Sequence, residues 1–170
     1  MNLYPSNQIN LYEHKKLFNL LLNVYENVGS SSKILLSGEK GIGKSTLAYH
    51  IINYELSKKE DDSYDCQNNR INVNNKSFKL IQNKSNPNFH LLDISVDKKF
   101  IDINQVRELI SILNKSSFNN KPRFVLIDNI ELLNINSVNA LLKIIEEPNE
   151  NVFFILINSC KRILSTIKSR

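Results

Sequence analysis

The stretch Gly38-Glu-Lys-Gly-Ile-Gly-Lys-Ser-Thr46 decides how this chain is read. It satisfies Gly-x-x-x-x-Gly-Lys-Ser/Thr in full, the pattern of a loop that cradles phosphate between a strand and a helix. Both flanks agree with that context. Lys33-Ile-Leu-Leu-Ser37 is a short apolar run set off by the Gly29-Ser-Ser-Ser32 break, as a buried parallel strand should be. Leu47, Ala48, Ile51 and Ile52 recur at helical spacing, which predicts a helix opening at Lys44 and running to Ser57. Gly38, Gly41 and Gly43 would let backbone N–H groups converge on phosphate oxygens at the positive end of that helix. Lys44 would reach the β- and γ-phosphates, the Ser45 hydroxyl would ligate Mg²⁺, and Thr46 completes the motif, so the cofactors expected are ATP and Mg²⁺. The bland alternative, a Gly-rich turn carrying Lys-Ser by chance, is disfavoured by the strand before and the helix after.

Working outward, the 170 residues suffice for one domain with a real core and not for two, so residues 1–170 are read as one unit. The net charge of +5 permits contact with nucleic acid, but the Lys and Arg residues are scattered, and a mildly basic solvated surface explains them equally well. Cys66 and Cys160 lie far apart, with no Cys-x-x-Cys and no His at ligand spacing, which argues against a disulfide framework or a zinc site. No apolar stretch approaches membrane-spanning length, and Met-Asn-Leu-Tyr-Pro5 lacks a signal-peptide core. A cytoplasmic location with no membrane contact is expected.

Periodicity supplies the remaining elements. Leu17, Phe18, Leu21, Val24 and Val28 fall on one face of a helix over residues 10–28. Lys58-Lys-Glu-Asp-Asp-Ser63 reads as a surface connection, and alternation of Ile71, Val73, Phe78 and Leu80 around Asn74-Asn75 suggests a small hairpin over residues 70–82. Asn88 to Ile94 reads as a second parallel strand. Asp102 and Gln105 form a capping pair ahead of Val106, Leu109, Ile110 and Leu113. A strand from Phe124 to Asp128 follows, then a helix with Val138, Leu141, Leu142 and Ile145 on one face, stopped before Pro148. Val152 to Asn158 is a fourth strand and Lys161 to Lys168 a last short helix. Strands alternating with helices imply an α/β, three-layer P-loop domain around a mostly parallel sheet.

Asp128 ends an apolar strand, where an open α/β sheet delivers a carboxylate to its ligand edge. Beside a phosphate loop, its expected role is direct or outer coordination of Mg²⁺; a helix cap or loop carboxylate is the plainer reading. Asn129 follows it. A carboxylate there could take a proton from an attacking water, whereas an amide can only orient it. Glu131 could substitute only if the strand end were rearranged.

Three runs then carry a family resemblance: Ile103-Asn-Gln-Val-Arg-Glu-Leu109, Lys121-Pro-Arg-Phe-Val-Leu-Ile-Asp128 and Asn136-Ser-Val-Asn-Ala-Leu-Leu-Lys-Ile-Ile-Glu-Glu-Pro148. They resemble the bacterial clamp-loader branch of the AAA+ (RecA-like) ATPases. Pro87-Asn-Phe-His-Leu-Leu92 and the closing Leu164-Ser-Thr-Ile-Lys-Ser-Arg170, similar to the start of that branch's Ser-Arg-Cys motif, extend the likeness over nearly the whole chain. The resemblance implies that Asn158 is the polar sensor of the γ-phosphate. It also implies that Arg170 is an arginine finger acting in trans on a neighbouring subunit's site. Without it, Asn158 is a polar residue closing a strand and Arg170 a terminal arginine.

Within the branch, the motor (gamma/tau) type normally carries Asp-Glu where this chain has Asp128-Asn129, and a four-cysteine zinc module absent here. The delta-prime type of DNA polymerase III tolerates both losses and is the better match. The resemblance then implies a hetero-oligomeric ring of clamp-loader subunits, acting with a sliding clamp and primer–template DNA. DNA would be met through phosphate contacts that are salt-sensitive. It further implies a longer architecture with a fifth strand beside Lys33–Ser37, a helical lid and a collar. A hydrolysing motor, or a P-loop binding module outside replication, are the readings that compete with it.

Overall fold

The computed structural model describes residues 4–28, 32–95, 98–115, 119 and 121–159. Its strands are β1 (Ser32–Ser37), β2 (Phe89–Leu92), β3 (Arg123–Ile127) and β4 (Val152–Asn158). Its helices are α1 (Lys15–Val28), α2 (Lys44–Ser57), α3 (Lys76–Gln82), α4 (Ile103–Leu113) and α5 (Ile135–Glu146). Among the described residues the sheet runs β1-β4-β3-β2, every pair parallel. Among the described residues β1 and β2 are its edge strands.

The two central strands are buried along their whole length, which is why they read as continuous apolar runs rather than alternating ones. Their side chains still divide by the two-residue period. Phe124, Leu126, Phe153, Ile155 and Ile157 point into a core with Phe18, Leu47, Ile51 and Ile52 from α1 and α2. Val125, Ile127, Val152, Phe154 and Leu156 point into a second core with Val106, Leu113, Val138 and Ile145 from α4 and α5. Three layers result, as expected. α2 lies deepest of the helices and buries polar side chains as well as apolar ones, among them His50, Asn53 and Ser57.

The capping box at α4 forms as read: Asp102 accepts from Asn104 N–H at 3.1 Å, and Gln105 accepts from Asp102 N–H at 2.9 Å. Helix α5 stops at Glu146, and the residue before Pro148 leaves helical geometry at φ −123° and ψ 71°.

Two expectations need correction. Residues 70–82 are not a hairpin. Asn75 accepts from Phe78 N–H at 2.8 Å and caps α3, a strong helix-start signal that overrides the alternation upstream. Phe78 and Ile81, three apart, are buried, while Val73 is 50% exposed. The face of α1 is also shifted. Phe18, Leu21 and Leu22 enter the core, whereas Leu17 and Val24 are 39% and 37% exposed. The helix over Lys161–Lys168 and the terminal Ser-Arg lie outside the described residues.

Candidate nucleotide-binding site

Gly41 and Gly43 have φ of +89° and +90°, a left-handed backbone that costs a residue with a Cβ roughly 1–2 kcal/mol. At Gly43 the requirement is doubled, because a Cβ there would lie 3.1 Å from His14 Nε2. Gly43 directly precedes α2, so the loop turns its N–H groups towards the positive end of that helix. Gly38 N–H donates to the Asn158 carbonyl at 3.3 Å, tying the loop's first residue to the end of β4.

Lys44 is only 8% exposed. Its Nζ donates to the Gly38 and Glu39 carbonyls at 3.0 and 2.6 Å, so the loop itself holds the ammonium inside its curve. Ser45, on the first turn of α2, donates from Oγ to Asp128 Oδ2 at 2.7 Å. This contact brings together residues 83 positions apart, the hydroxyl and carboxylate that the sequence assigned to Mg²⁺. Thr46 is half-buried on the same turn.

Burial pushes the Asp128 carboxyl up, the Asp93 and Glu131 carboxylates add to that, and the Ser45 hydroxyl opposes it. A divalent cation at this point would relieve exactly the charge that burial penalises, so the donor set fits Mg²⁺. Among the described residues no three His, Cys, Asp or Glu side chains gather to hold a metal by themselves. That suits an ion bound through one or two protein oxygens plus phosphate.

The neighbouring polar groups each have a definite place. Asn158 is fully buried at the end of β4, in register with Ser37 of β1, and its Nδ2 donates to Ser37 Oγ at 3.2 Å. Asn129 adopts φ 59° and ψ 54°, left-handed geometry that Asn tolerates. Its Nδ2 donates to Asp93 Oδ1 at 3.1 Å. Glu131 accepts from Ser159 N–H at 3.2 and 3.3 Å, so its carboxylate is occupied bracing the end of β4. The rearrangement needed for it to replace a base at position 129 is absent. Arg170 lies outside the described residues.

Two groups at this edge escaped the sequence reading. Asp93 follows the end of β2 as Asp128 follows β3, and that shared position, a carboxylate closing an apolar run, was the available signal. His14, just ahead of α1, bonds through Nε2 to the Ile42 carbonyl and packs over Gly43; nothing in the local sequence marks it.

The chain is similar to several known proteins. The DNA polymerase III subunit delta' of Buchnera aphidicola subsp. Baizongia pistaciae is 33% identical across 100% of this chain and 49% of its own length. The DNA polymerase III subunit gamma of Buchnera aphidicola subsp. Acyrthosiphon pisum is 34% identical across 80% of this chain and 36% of its own. The crystal structure of a DNA polymerase III gamma subunit-related protein from Thermotoga maritima superposes with a TM-score of 0.64. It is 22% identical and covers 90% of this chain and 43% of its own, a likeness of fold. The chain thus spans half or less of the length of these curated relatives. The family profile described as DNA polymerase III, delta subunit, matches residues 13–170. A match that begins one residue before His14 and continues to Arg170, laid over the sheet edge just described, shows that the chain belongs to the DNA polymerase III delta subunit family.

Proposed function

We propose that residues 1–170 form the nucleotide-binding domain of a delta-prime-type clamp-loader subunit of bacterial DNA polymerase III. The domain holds Mg·ATP and cleaves it poorly. The observation that carries this reading is a complete phosphate loop, with Ser45 on Asp128 at 2.7 Å, beside an amide at position 129. Ser45 and Asp128 would hold Mg²⁺, which when bound would offset phosphate charge. Lys44 would exchange its loop carbonyls for β- and γ-phosphate oxygens, and the glycine turn would present backbone N–H groups. Asn158, fixed to both Ser37 and the loop, would sense the terminal phosphate. The Asn129 amide cannot accept a proton from water, and loss of a general base costs roughly 10²–10⁴ in rate.

Within a ring of clamp-loader subunits, ATP here would act as a conformational ligand. Arg170 would serve the neighbouring motor subunit, where an arginine supplied in trans is worth about 10³–10⁵ in rate. The sliding clamp and primer–template DNA would be met through the assembled complex, in the cytoplasm. The similarity to gamma subunits favours a second reading, a motor that hydrolyses ATP itself. Titration of the full-length polypeptide with a fluorescent ATP analogue and Mg²⁺ tests the binding step. Saturable binding lost in Lys44→Ala supports the proposal, and equal binding by both proteins contradicts it.

A further inference from the structure

The crown of the phosphate loop is gripped from outside by an imidazole. The chain ahead of α1 is pinned first: Leu11 N–H donates to the Asn69 carbonyl at 3.0 Å, and the Ile9 carbonyl accepts from Ile71 N–H at 2.8 Å. Just beyond, His14 N–H donates back to the Tyr12 carbonyl at 2.8 Å, and Glu13 between them takes φ 62°. A three-residue turn around a side-chain-bearing residue with positive φ is rare and strained. What this turn delivers is His14. Its carbonyl starts α1 by accepting from Phe18 N–H at 2.8 Å, and its ring is set over the loop.

His14 Nε2 meets the Ile42 carbonyl. A carbonyl only accepts, so Nε2 carries the proton and donates. The same ring edge lies against Gly43, where a Cβ would come within 3.1 Å of Nε2 and 3.3 Å of Cδ2. The Ile42 side chain folds back over Gly38, where a Cβ would come within 2.8 Å of Ile42 Cδ1. The peptide joining Ile42 to Gly43 is therefore held at its carbonyl, at the Cα that follows and at the side chain that precedes. In a planar trans peptide the C=O and N–H point in opposite directions, so a carbonyl turned out to His14 turns the Gly43 N–H into the loop. Glycine is also the residue that would let this peptide flip, and a flipped peptide presents a carbonyl oxygen where phosphate needs a donor. We propose that His14 is a positioning residue for the nucleotide's phosphates. It acts through the Ile42 carbonyl and keeps the loop in its donor-inward form before nucleotide arrives. This deepens the nucleotide-holding reading given above and rests on it.

The test compares the wild-type full-length polypeptide with His14→Gln, whose amide N–H can reach the carbonyl, and His14→Phe, which keeps a ring over Gly43 without a donor. His14→Asn, too short to reach, replaces His14→Phe if that variant does not fold. Ile42-Gly43 is the only Ile-Gly pair in residues 1–170, so isotope labels on isoleucine carbonyl carbon and glycine amide nitrogen isolate this peptide among them as one NMR peak. Without nucleotide, wild type and His14→Gln should give one sharp peak. The donorless variant should give two, or one broadened by exchange between the two peptide orientations. Its affinity for a fluorescent ATP analogue with Mg²⁺ should fall ~3–10-fold, the worth of one hydrogen bond, while His14→Gln stays within about 2-fold of wild type. A histidine that merely packs would be replaced by phenylalanine without either change. One sharp peak throughout, unchanged affinity in the donorless variant, or a His14→Gln that binds as weakly as that variant overturns the proposal. If the wild type does not bind the analogue, the nucleotide-holding reading falls instead, and the peak alone decides whether His14 holds the loop.

Discussion

Acidification should loosen this domain through one buried histidine on the helix that carries the phosphate loop. His50 is fully buried on α2, with Nδ1 2.8 Å from the Tyr64 hydroxyl and Nε2 3.1 Å from the Gln8 carbonyl. The carbonyl can only accept, so Nε2 carries the proton and Nδ1 receives the tyrosine O–H; the neutral ring is satisfied at both nitrogens. Burial lowers its pKa from 6.5 to about 4, with the Gln8 carbonyl pulling the other way. The unfolded chain therefore binds a proton that the folded chain refuses between those two values. The stabilisation is complete above the unfolded value and is lost as pH falls from 6.5 towards 4. The gap corresponds to about 3 kcal/mol at its limit, a large share of the roughly 5–15 kcal/mol of a typical domain. Urea unfolding followed by circular dichroism, at neutral pH and again near ~4.5, measures it in wild type and His50→Gln. Glutamine can serve both partners without titrating, so the variant should lose distinctly less stability on acidification. The remaining titratable groups are common to both proteins and cancel in the comparison. Identical pH dependence of the two proteins would refute the reasoning.

Other expectations follow from single residues. Gly43→Ala combines a left-handed φ of +90° with a Cβ 3.1 Å from His14 Nε2. It should cost roughly 1–2 kcal/mol in urea unfolding and should abolish binding of the ATP analogue, since the loop cannot keep its turn. Asn75→Ala removes the α3 cap and the acceptor that Asn53 Nδ2 meets at 3.3 Å. A loss of about 1–2 kcal/mol is expected, read as a lower Tm with nucleotide affinity little changed.

The fold was legible wherever one local signal dominated. Val152 to Ile157 and Phe124 to Ile127 are apolar along their whole length because they lie at the centre of a sheet covered on both faces, and such runs announce themselves. The phosphate loop was legible because glycine spacing, lysine and hydroxyl are all local. Residues 70–82 failed for the opposite reason. Ile71 and Val73 alternate like a strand, but Ile71 is fixed by its N–H bond to Ile9 O at 2.8 Å and Asn75 starts a helix. The α1 face was misjudged because Leu17 and Val24 sit at the margins of its apolar stripe, and packing against α2 and the sheet chose the Phe18 side. That Ser45 and Asp128 meet, 83 positions apart, could be expected only because loops and strand ends of this kind are known to converge so. The Asn129–Asp93 bond spans 36 positions and depends on β2 and β3 being neighbours, which no local pattern states.

The central claim is that this chain holds ATP without efficient cleavage. Single-turnover hydrolysis by the wild-type full-length polypeptide, at enzyme in excess over Mg·ATP, tests it most directly. The account predicts that bound nucleotide stays intact, with a rate about 10²–10⁴ below that of a clamp-loader motor carrying a carboxylate at the corresponding position. Cleavage at a motor-like rate, abolished by Lys44→Ala, would contradict it and make the chain an ATPase in its own right.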